Sequence, residues 1–336
     1  MKAIVIEQSG GPDAMKLVDK PQPSPKPGEL LIRHAAIGLN YIDTYHRSGL
    51  YPVPLPSGIG LEAAGVVKEV GAGVKGFKAG DRIAYGSGPI GAYSEMRVVP
   101  ANRVIKIPKA ISDETAAGMM LKGMTVRYLL RATYKVKKGE TILLHAAAGG
   151  VGLLLCQIAK QRGARVIGTV SSEEKAAKAR SFGCDEMIFY RREDVAARVK
   201  ELTGGEGVQT VFDSVGADTF NGSLKSLRRR GVLVGCGTAS GPFPPIDAMQ
   251  LVMQGSVYFT RPAFADYYAD PAERAELAAF WFDHLSSGRV KVEIGQRYAL
   301  EDCVQAHRDL EAGKSIGSSV SCCEGHSTHM PYRCRA

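Results

Sequence analysis

An α/β protein in two parts, one mostly β and the other a doubly wound parallel sheet, is what three features of this sequence predict. The chain has 336 residues, and a single core stops growing near roughly 250–300, so two domains are expected. Up to about residue 122 the text reads as strands and turns, and from about 124 strands alternate with short helices. Such alternation marks a parallel sheet covered on both faces. The third feature is the glycine-rich run HAAAGGVGLLL, residues 145–155, placed where a strand hands over to a helix.

Taken in order, MKAIVIE opens as a strand, PKPGELLIRHAAIG follows a proline-rich turn, and LEAAGVVKEVGAGVKGFKAGDRIAY is a set of short β runs broken by glycine. In the second part TILLHAAA, ARVIGTV, DEMIFY, VQTVFDSVG and GVLVGCG read as buried strands. Between them VGLLLCQIAKQRG, SSEEKAAKARSFG, DVAARVKELTG and FNGSLKSLRRR read as helices. PAFADYYADPAERAELAAFWFDHLSSG is a further helix, VKVEIGQRYAL returns to β text, and EDCVQAHRDLEAG is the last helix. The expected division is 1–123 for the first domain, 124–264 for the second, 265–320 for a return to the first, and 321–336 for an atypical, disordered tail.

Composition is that of a soluble globular protein, 45% hydrophobic and 23% charged. The start MKAIVIEQSGG lacks the parts of a signal peptide, and runs such as VGLLLCQIA fall short of the roughly 18 residues of a membrane span. A cytoplasmic protein is expected. Cys156, Cys184, Cys236 and Cys303 stand singly, which argues for reduced thiols. Cys322, Cys323 and Cys334 lie beside His326 and His329, but this stretch has no apolar periodicity, and no metal is expected there. The net charge of +9 suits either nucleic acid or a polyanionic small ligand. Its one cluster, Arg228, Arg229 and Arg230, reads as a solvated helix end whose cations complement the dipole.

In the glycine run, Gly149 and Gly152 hold the second and third glycine places of G-x-G-x-x-G, with Ala147 at the first. A glycine at 149 lets backbone approach a pyrophosphate, and one at 152 lets helix and strand pack closely. The N–H groups opening the helix, at Gly150 and Val151, face the phosphates. In isolation such a run is only a tight turn; its seat among several βα units makes it a dinucleotide site. About twenty residues on, an acid would bind the ribose 2′-hydroxyl of NAD. Here the strand ends in Thr169, Val170, Ser171 and Ser172. Glu173 and Glu174 follow, read as part of a capping box in which Ser171 pairs with Glu174. With Lys175, Tyr190 and Arg191 in reach, hydroxyls and cations in place of an acid favour NADPH, although each cation taken singly is an ordinary surface charge. His145 reads as a buried, hydrogen-bonded histidine, and Met119 and Met120 as core.

The segments GIGLEAAGVVKEVGAGVKGFKAGDRIAY, GLNYIDTYHRSGLYP, LKGMTVRYLL, LHAAAGGVGLLLCQIAK, FDSVG and FTRP together resemble the zinc-free quinone oxidoreductase branch of the medium-chain dehydrogenase/reductase superfamily, from residue 1 to about 320. The resemblance implies a GroES-like catalytic domain, a Rossmann cofactor domain and a homodimer. Where the zinc alcohol dehydrogenases carry metal ligands, this sequence has Asn40, Leu61 and Lys122, which give Zn²⁺ no tetrahedral ligand set. Glu62 remains, in a structural role. Asn40 and Tyr45 are the expected polar groups at the nicotinamide and the acceptor oxygen, with Tyr51 at the entrance; ring packing is the competing role for both tyrosines. Asp43 is expected to order that loop. Thr125, Ser214, Gly235 and Gly237 are expected against the cofactor, and Arg261 either faces the cleft or closes the hinge by a salt bridge.

The expected function is NADPH-dependent, zinc-independent hydride transfer to a quinone or another electron-poor acceptor, by one- or two-electron steps. An enoyl or 2-alkenal reductase is the nearest alternative. A nucleic-acid-binding protein that keeps a cofactor fold is the alternative from another class.

Overall fold

The computed structural model describes residues 1–268 and 270–322. They form two compact units, Met1–Met124 with the chain from Pro271 onward, and Thr125–Asp270. The first unit begins with β1 (Lys2–Ile6), β2 (Met15–Asp19), β3 (Glu29–Leu39), α1 (Tyr41–Ser48), β4 (Ser57–Gly58), β5 (Glu62–Val70), β6 (Arg82–Tyr85), β7 (Met96–Pro100) and β8 (Ile105–Lys106). The helices α2 (Asp113–Ala117) and α3 (Met120–Tyr128) follow, and α3 runs into the second unit. That unit continues with β9 (Thr141–Leu144), α4 (Gly150–Gln161), β10 (Arg165–Val170), α5 (Glu173–Ser181), β11 (Glu186–Phe189), α6 (Val195–Leu202) and β12 (Val208–Asp213). It ends with α7 (Phe220–Ser226), β13 (Leu227–Gly235), α8 (Ala248–Met253) and β14 (Tyr258–Thr260). The chain then supplies α9 (Pro271–Ser286), β15 (Ile294–Ala299), α10 (Cys303–Glu311) and β16 (Ser318–Cys322).

In the first unit a seven-stranded sheet has the order β15-β16-β3-β5-β6-β8, with β7 also paired to β3, and a small sheet has the order β2-β1-β4. The strand β3 organises the larger sheet because it is long and carries three partners: β5 along one edge, and β7 then β16 along the other. Ile4, Ile6, Leu30, Ile32, Ile37, Ile59, Ile83 and Tyr85 fill the core beneath it.

In the second unit six strands pair in the order β11-β10-β9-β12-β13-β14, all parallel. Helices cover both faces, so the strands are apolar nearly throughout, as in TILL and RVIGTV. The order reverses direction after β11-β10-β9, which is the doubly wound arrangement that leaves a binding crevice at the carboxyl ends of the strands.

Several expectations change. The segment NYIDTYHRS is not a loop but the helix α1, because Asp43 accepts from the Asn40 backbone N–H at 2.9 Å and so satisfies a donor at the helix start. Arg228, Arg229 and Arg230 do not end a helix: they lie exposed on β13, with Arg230 at φ 60°. The buried Leu227 before them pairs with Val208, and the apolar VLV after them pairs with β12, so strand pairing overrides the helical tendency. The cap of α5 is Ser172, whose side chain accepts from the Lys175 N–H at 3.3 Å, one residue later than Ser171. The strand β9 stops at Leu144, and the rest of TILLHAAA forms the turn. Ser321 and Cys322, assigned to the tail, complete β16 between β15 and β3. The remaining tail, with Cys323, His326, His329 and Cys334, lies outside the described residues.

Phe220 is a stringent probe of the parallel-sheet core, since it is buried with its ring 6.0 Å from Phe243 and 6.1 Å from Phe259. Phe220→Ala is expected to cost about 3–5 kcal/mol, read as a lower denaturant midpoint with unchanged slope.

Candidate functional site

The second unit builds a cradle between β9 and α4. His145 N–H donates to Phe212 O at 3.0 Å, Ala147 N–H to Thr169 O at 3.1 Å, and Gly149 N–H to Ala146 O at 3.0 Å, which pins the turn to the neighbouring strands. Ala146 takes φ 53°, a left-handed conformation that an L-residue rarely adopts. A side chain at Gly152 would put its Cβ 2.4 Å from Ala146 O and 2.6 Å from Ala147 O, so only glycine fits. Helix geometry leaves the N–H groups of Gly150, Val151 and Gly152 without intrahelical acceptors, and Gly149 forms the N-cap. The result is a concave set of donors with partial positive charge, suited to phosphate.

Beneath the cradle a buried polar group locks three strand ends. His145 bonds Thr169 Oγ1 at 3.1 Å and Ser223 Oγ at 2.9 Å. Asp213 accepts from Val215 N–H at 2.9 Å, Thr219 Oγ1 at 2.8 Å and Ser223 Oγ at 2.6 Å. Burial holds the His145 pKa down, so it serves as a neutral hydrogen-bonding residue, as its sequence context indicates.

The other second-unit candidates gather along the same carboxyl edge. Ser171 follows β10, and Lys175 lies one turn into α5. The Lys175 pKa is lowered by burial and then by the nearby Arg191 guanidinium, and Tyr190, next to Arg191 in sequence, is exposed. Ser214 follows β12, and Gly237 lies so close to it that a Cβ would sit 2.5 Å from Ser214 O. Arg261 follows β14 and donates to Gly235 O and Pro262 O, each at 3.2 Å. Thr125 is buried on α3.

The first unit holds Asn40, Tyr45 and Tyr51. The Tyr45 ring packs between Tyr41 at 5.6 Å and Tyr51 at 5.1 Å, and only 8% of Tyr45 is exposed. Asn40 belongs to a polar core centred on Glu62. Glu62 Oε2 accepts from Asn40 Nδ2 at 2.7 Å and from Lys122 Nζ at 3.2 Å, while Oε1 accepts from Leu121 N–H at 2.7 Å. Lys122 Nζ also donates to Leu39 O at 3.1 Å. Among the described residues no three His, Cys, Asp or Glu side chains converge as a metal site. At the three positions that the zinc enzymes give to ligands stand an amide, an aliphatic side chain and an ammonium already paired with a carboxylate.

Sequence reasoning missed how far this core extends. Asp43 Oδ2 accepts from Tyr93 Oη at 3.0 Å, Tyr93 Oη meets His307 Nε2 at 3.0 Å, and His307 Nδ1 meets Arg47 Nη1 at 2.9 Å. Arg47 ends the run on Glu311. Arg47 can only donate, so His307 Nδ1 accepts, its Nε2–H donates to Tyr93, and Tyr93 donates to Asp43. Burial holds the His307 pKa down to about 3, which agrees with the neutral ring this order requires. Nothing local marks the run, since Arg47 and His307 are 260 residues apart.

Asp43 yields a pH prediction. Burial raises its pKa from 3.8 to about 7, against the opposing hydrogen bonds from Asn40 and Tyr93 and the charge of Lys122; Glu62 adds to the rise. The folded state therefore binds this proton more tightly than the unfolded chain, and Asp43 withdraws stability as pH climbs from about 4 to about 7. In Asp43→Asn this withdrawal is absent. Denaturant midpoints measured across that range should show wild type losing ground to the variant as pH rises, then a constant gap above it.

Residues 26–109 match the alcohol dehydrogenase GroES-like domain, and residues 150–272 match the zinc-binding dehydrogenase family. A quinone oxidoreductase of Pseudomonas aeruginosa is 48% identical over 320 residues, covering 95% of this chain and 98% of that protein. The crystal structure of Escherichia coli quinone oxidoreductase complexed with NADPH is 45% identical with a TM-score of 0.94, covering 96% of this chain and 100% of that one. A 2-haloacrylate reductase of Burkholderia sp. is 44% identical over 326 residues, covering 95% of this chain and 98% of that protein. The GroES-like match, the parallel-sheet unit with its cradle and these near full-length identities agree: the chain belongs to the quinone oxidoreductase branch of the medium-chain dehydrogenase/reductase superfamily.

Proposed function

We propose that this protein is an NADPH-dependent quinone oxidoreductase. The observation that carries the cofactor half is the carboxyl edge of the parallel sheet. The glycine cradle offers backbone donors to a pyrophosphate, and β10 is followed directly by Ser171 and Ser172 rather than by a carboxylate, with Lys175 and the nearby Arg191 guanidinium beyond them. That combination suits a ribose 2′-phosphate. Gly149, Gly150, Val151 and Gly152 hold the pyrophosphate; Ser171, Lys175 and Tyr190 hold the 2′-phosphate end; Thr125, Ser214, Gly235, Gly237 and Arg261 border the rest. Bound NADPH supplies the hydride.

The acceptor half is carried by the first unit. A quinone needs less electrophilic help than a ketone, because its reduced form is aromatic, so positioning supplies much of the rate. Asn40 orients the acceptor oxygen, its amide being fixed by Glu62. Tyr45 and Tyr51 form an aromatic wall, edge to face, against which a flat ring can lie. The resemblance to a 2-haloacrylate reductase keeps an activated alkene as the competing acceptor.

We place the protein in the cytoplasm, where its buried thiols Cys156, Cys184 and Cys303 stay reduced. No helix among the described residues is long and apolar enough to cross a membrane. We also assign a homodimer. The edge strand β14 exposes Tyr258, and α8 beside it in sequence exposes Met249, Val252 and Met253, the last at 78%. An open strand edge with apolar neighbours is the kind of surface a second copy covers.

The deciding experiment follows NADPH oxidation with a panel of quinones, with NADH and a 2-alkenal as comparisons. Turnover of the alkenal alone would replace the quinone reading by the alkene one. Lys175→Ala is expected to lower kcat/KM for NADPH by about tenfold to hundredfold while leaving NADH nearly unchanged, in proportion to a lost charge-assisted bond to phosphate. Equal losses for both cofactors would sink the 2′-phosphate assignment. In sedimentation, Met253→Glu should convert dimer to monomer; an unchanged dimer would place the interface elsewhere.

A further inference from the structure

We propose that Lys122 is the electrophilic residue of this site, its ammonium donating to the acceptor oxygen as that oxygen gains negative charge. The inference rests on the quinone reading above. It begins with a count of donors. Glu62 is fully buried, and its two oxygens accept three hydrogen bonds, from Leu121 N–H, Asn40 Nδ2 and Lys122 Nζ, so this carboxylate is held in place by its partners. An ammonium has three N–H donors. Glu62 and Leu39 O take two of those of Lys122, and no other partner of Lys122 is found among the described residues. The third donor therefore sits unspent on a side chain with 7% of its surface exposed. A buried charged donor without an acceptor is costly, so a ligand oxygen that meets it is bound strongly.

The placement of this donor matches the proposed chemistry. Lys122 Nζ and Asn40 Nδ2 bond the same oxygen of Glu62, at 3.2 and 2.7 Å, and so lie side by side. Asn40 is the residue assigned to orient the acceptor oxygen, which puts the spare N–H of Lys122 next to that oxygen as well. Glu62 and Lys122 form a buried ion pair at 3.2 Å, and the pair contributes a fixed dipole that needs no reorganisation during the reaction.

The step balances without a metal. The quinone takes up a hydride, two electrons with one proton, as the carbon–hydrogen bond of the reduced nicotinamide breaks. One quinone oxygen then carries a single negative charge, stabilised by Lys122, and a proton from water completes the hydroquinone. Lys122 remains charged throughout and is not consumed.

The test uses the double variant Lys122→Met/Glu62→Gln, because removing Lys122 alone strands a buried carboxylate and endangers folding. Thermal unfolding and NADPH fluorescence titration establish that the variant folds and binds cofactor. Its kcat with 1,4-benzoquinone is expected to fall by about 100-fold or more, the usual loss for one oxyanion donor. A second readout needs no turnover: 4-nitrophenol, whose anion is yellow, is expected to bind wild type as the phenolate at a pH where the free compound is largely protonated, and to lose this in the double variant. Lys122→Arg, which keeps the cation, should retain part of both signals. A folded double variant within about threefold of wild-type kcat would overturn the inference, as would phenolate binding that ignores Lys122. Wild type inactive with every quinone yet binding phenolate through Lys122 would instead remove the quinone reading and leave the anion site standing.

Discussion

The carboxylate of Glu62 is the constraint around which the first unit is arranged. It ties together the start of β5, where Glu62 sits, the end of β3 through Leu39 and Lys122, the start of α1 through Asn40, and the first turn of α3 through Leu121. The carboxylate has room because residue 38 is glycine: a Cβ there would stand 2.2 Å from Glu62 Oε2 and 2.1 Å from Ala117 O. Burial pushes the Glu62 pKa up, and Lys122, Asn40 and Leu121 N–H pull against that rise. A buried ion pair of this kind adds little stability over apolar residues of the same volume. Its presence is better accounted for by what it fixes: an amide and an ammonium set side by side.

What could be read from the residues alone follows from how local each signal is. The change from β text to βα alternation, the glycine turn at 149–152 and the serines in place of an acid at the tip of β10 are each stated within a few adjacent residues, and the structure puts the turn and the serines at the carboxyl ends of neighbouring strands. The buried roles of His145, Met119 and Met120 were legible for the same reason, since apolar strand and helix text surrounds each. Where two local signals compete, strand pairing decides between them. RRR after FNGSLKSL reads as a charged helix end, yet Leu227 and Val232 were strand residues waiting for a partner, Val208 and Thr210, found only in three dimensions. The three-residue β14 and the short α8 fall below the length at which periodicity speaks.

The polar core was illegible for a different reason. Its bonds join Asn40 to Glu62, Lys122 to Leu39, Tyr93 to His307 and His307 to Arg47, across 22, 83, 214 and 260 residues. No short window of sequence holds both partners of any of these bonds. What local reading could do was notice that Lys122 is incompatible with a zinc ligand set, and stop there. It took the fold to show that the lysine is not merely an obstacle to a metal but a cation with a counter-ion of its own and one donor to spare.

Under the function proposed above, the two units solve opposite problems with opposite materials. Phosphate carries its own charge and is content with backbone N–H groups and a helix dipole, so its site asks for small residues that keep side chains out of the way, as at Gly152. An acceptor such as a quinone arrives neutral and becomes charged only as it reacts. Donors for it must be held in place beforehand by something other than the ligand, or they would relax toward each other or toward water. In the first unit that something is a chain of side chains with little access to water. Glu62 holds Asn40 and Lys122, while Arg47, His307, Tyr93 and Asp43 form a hydrogen-bonded run that braces the first turn of α1. Such rigidity comes at the cost of keeping charged groups buried, and the raised pKa of Asp43 is where that cost becomes measurable.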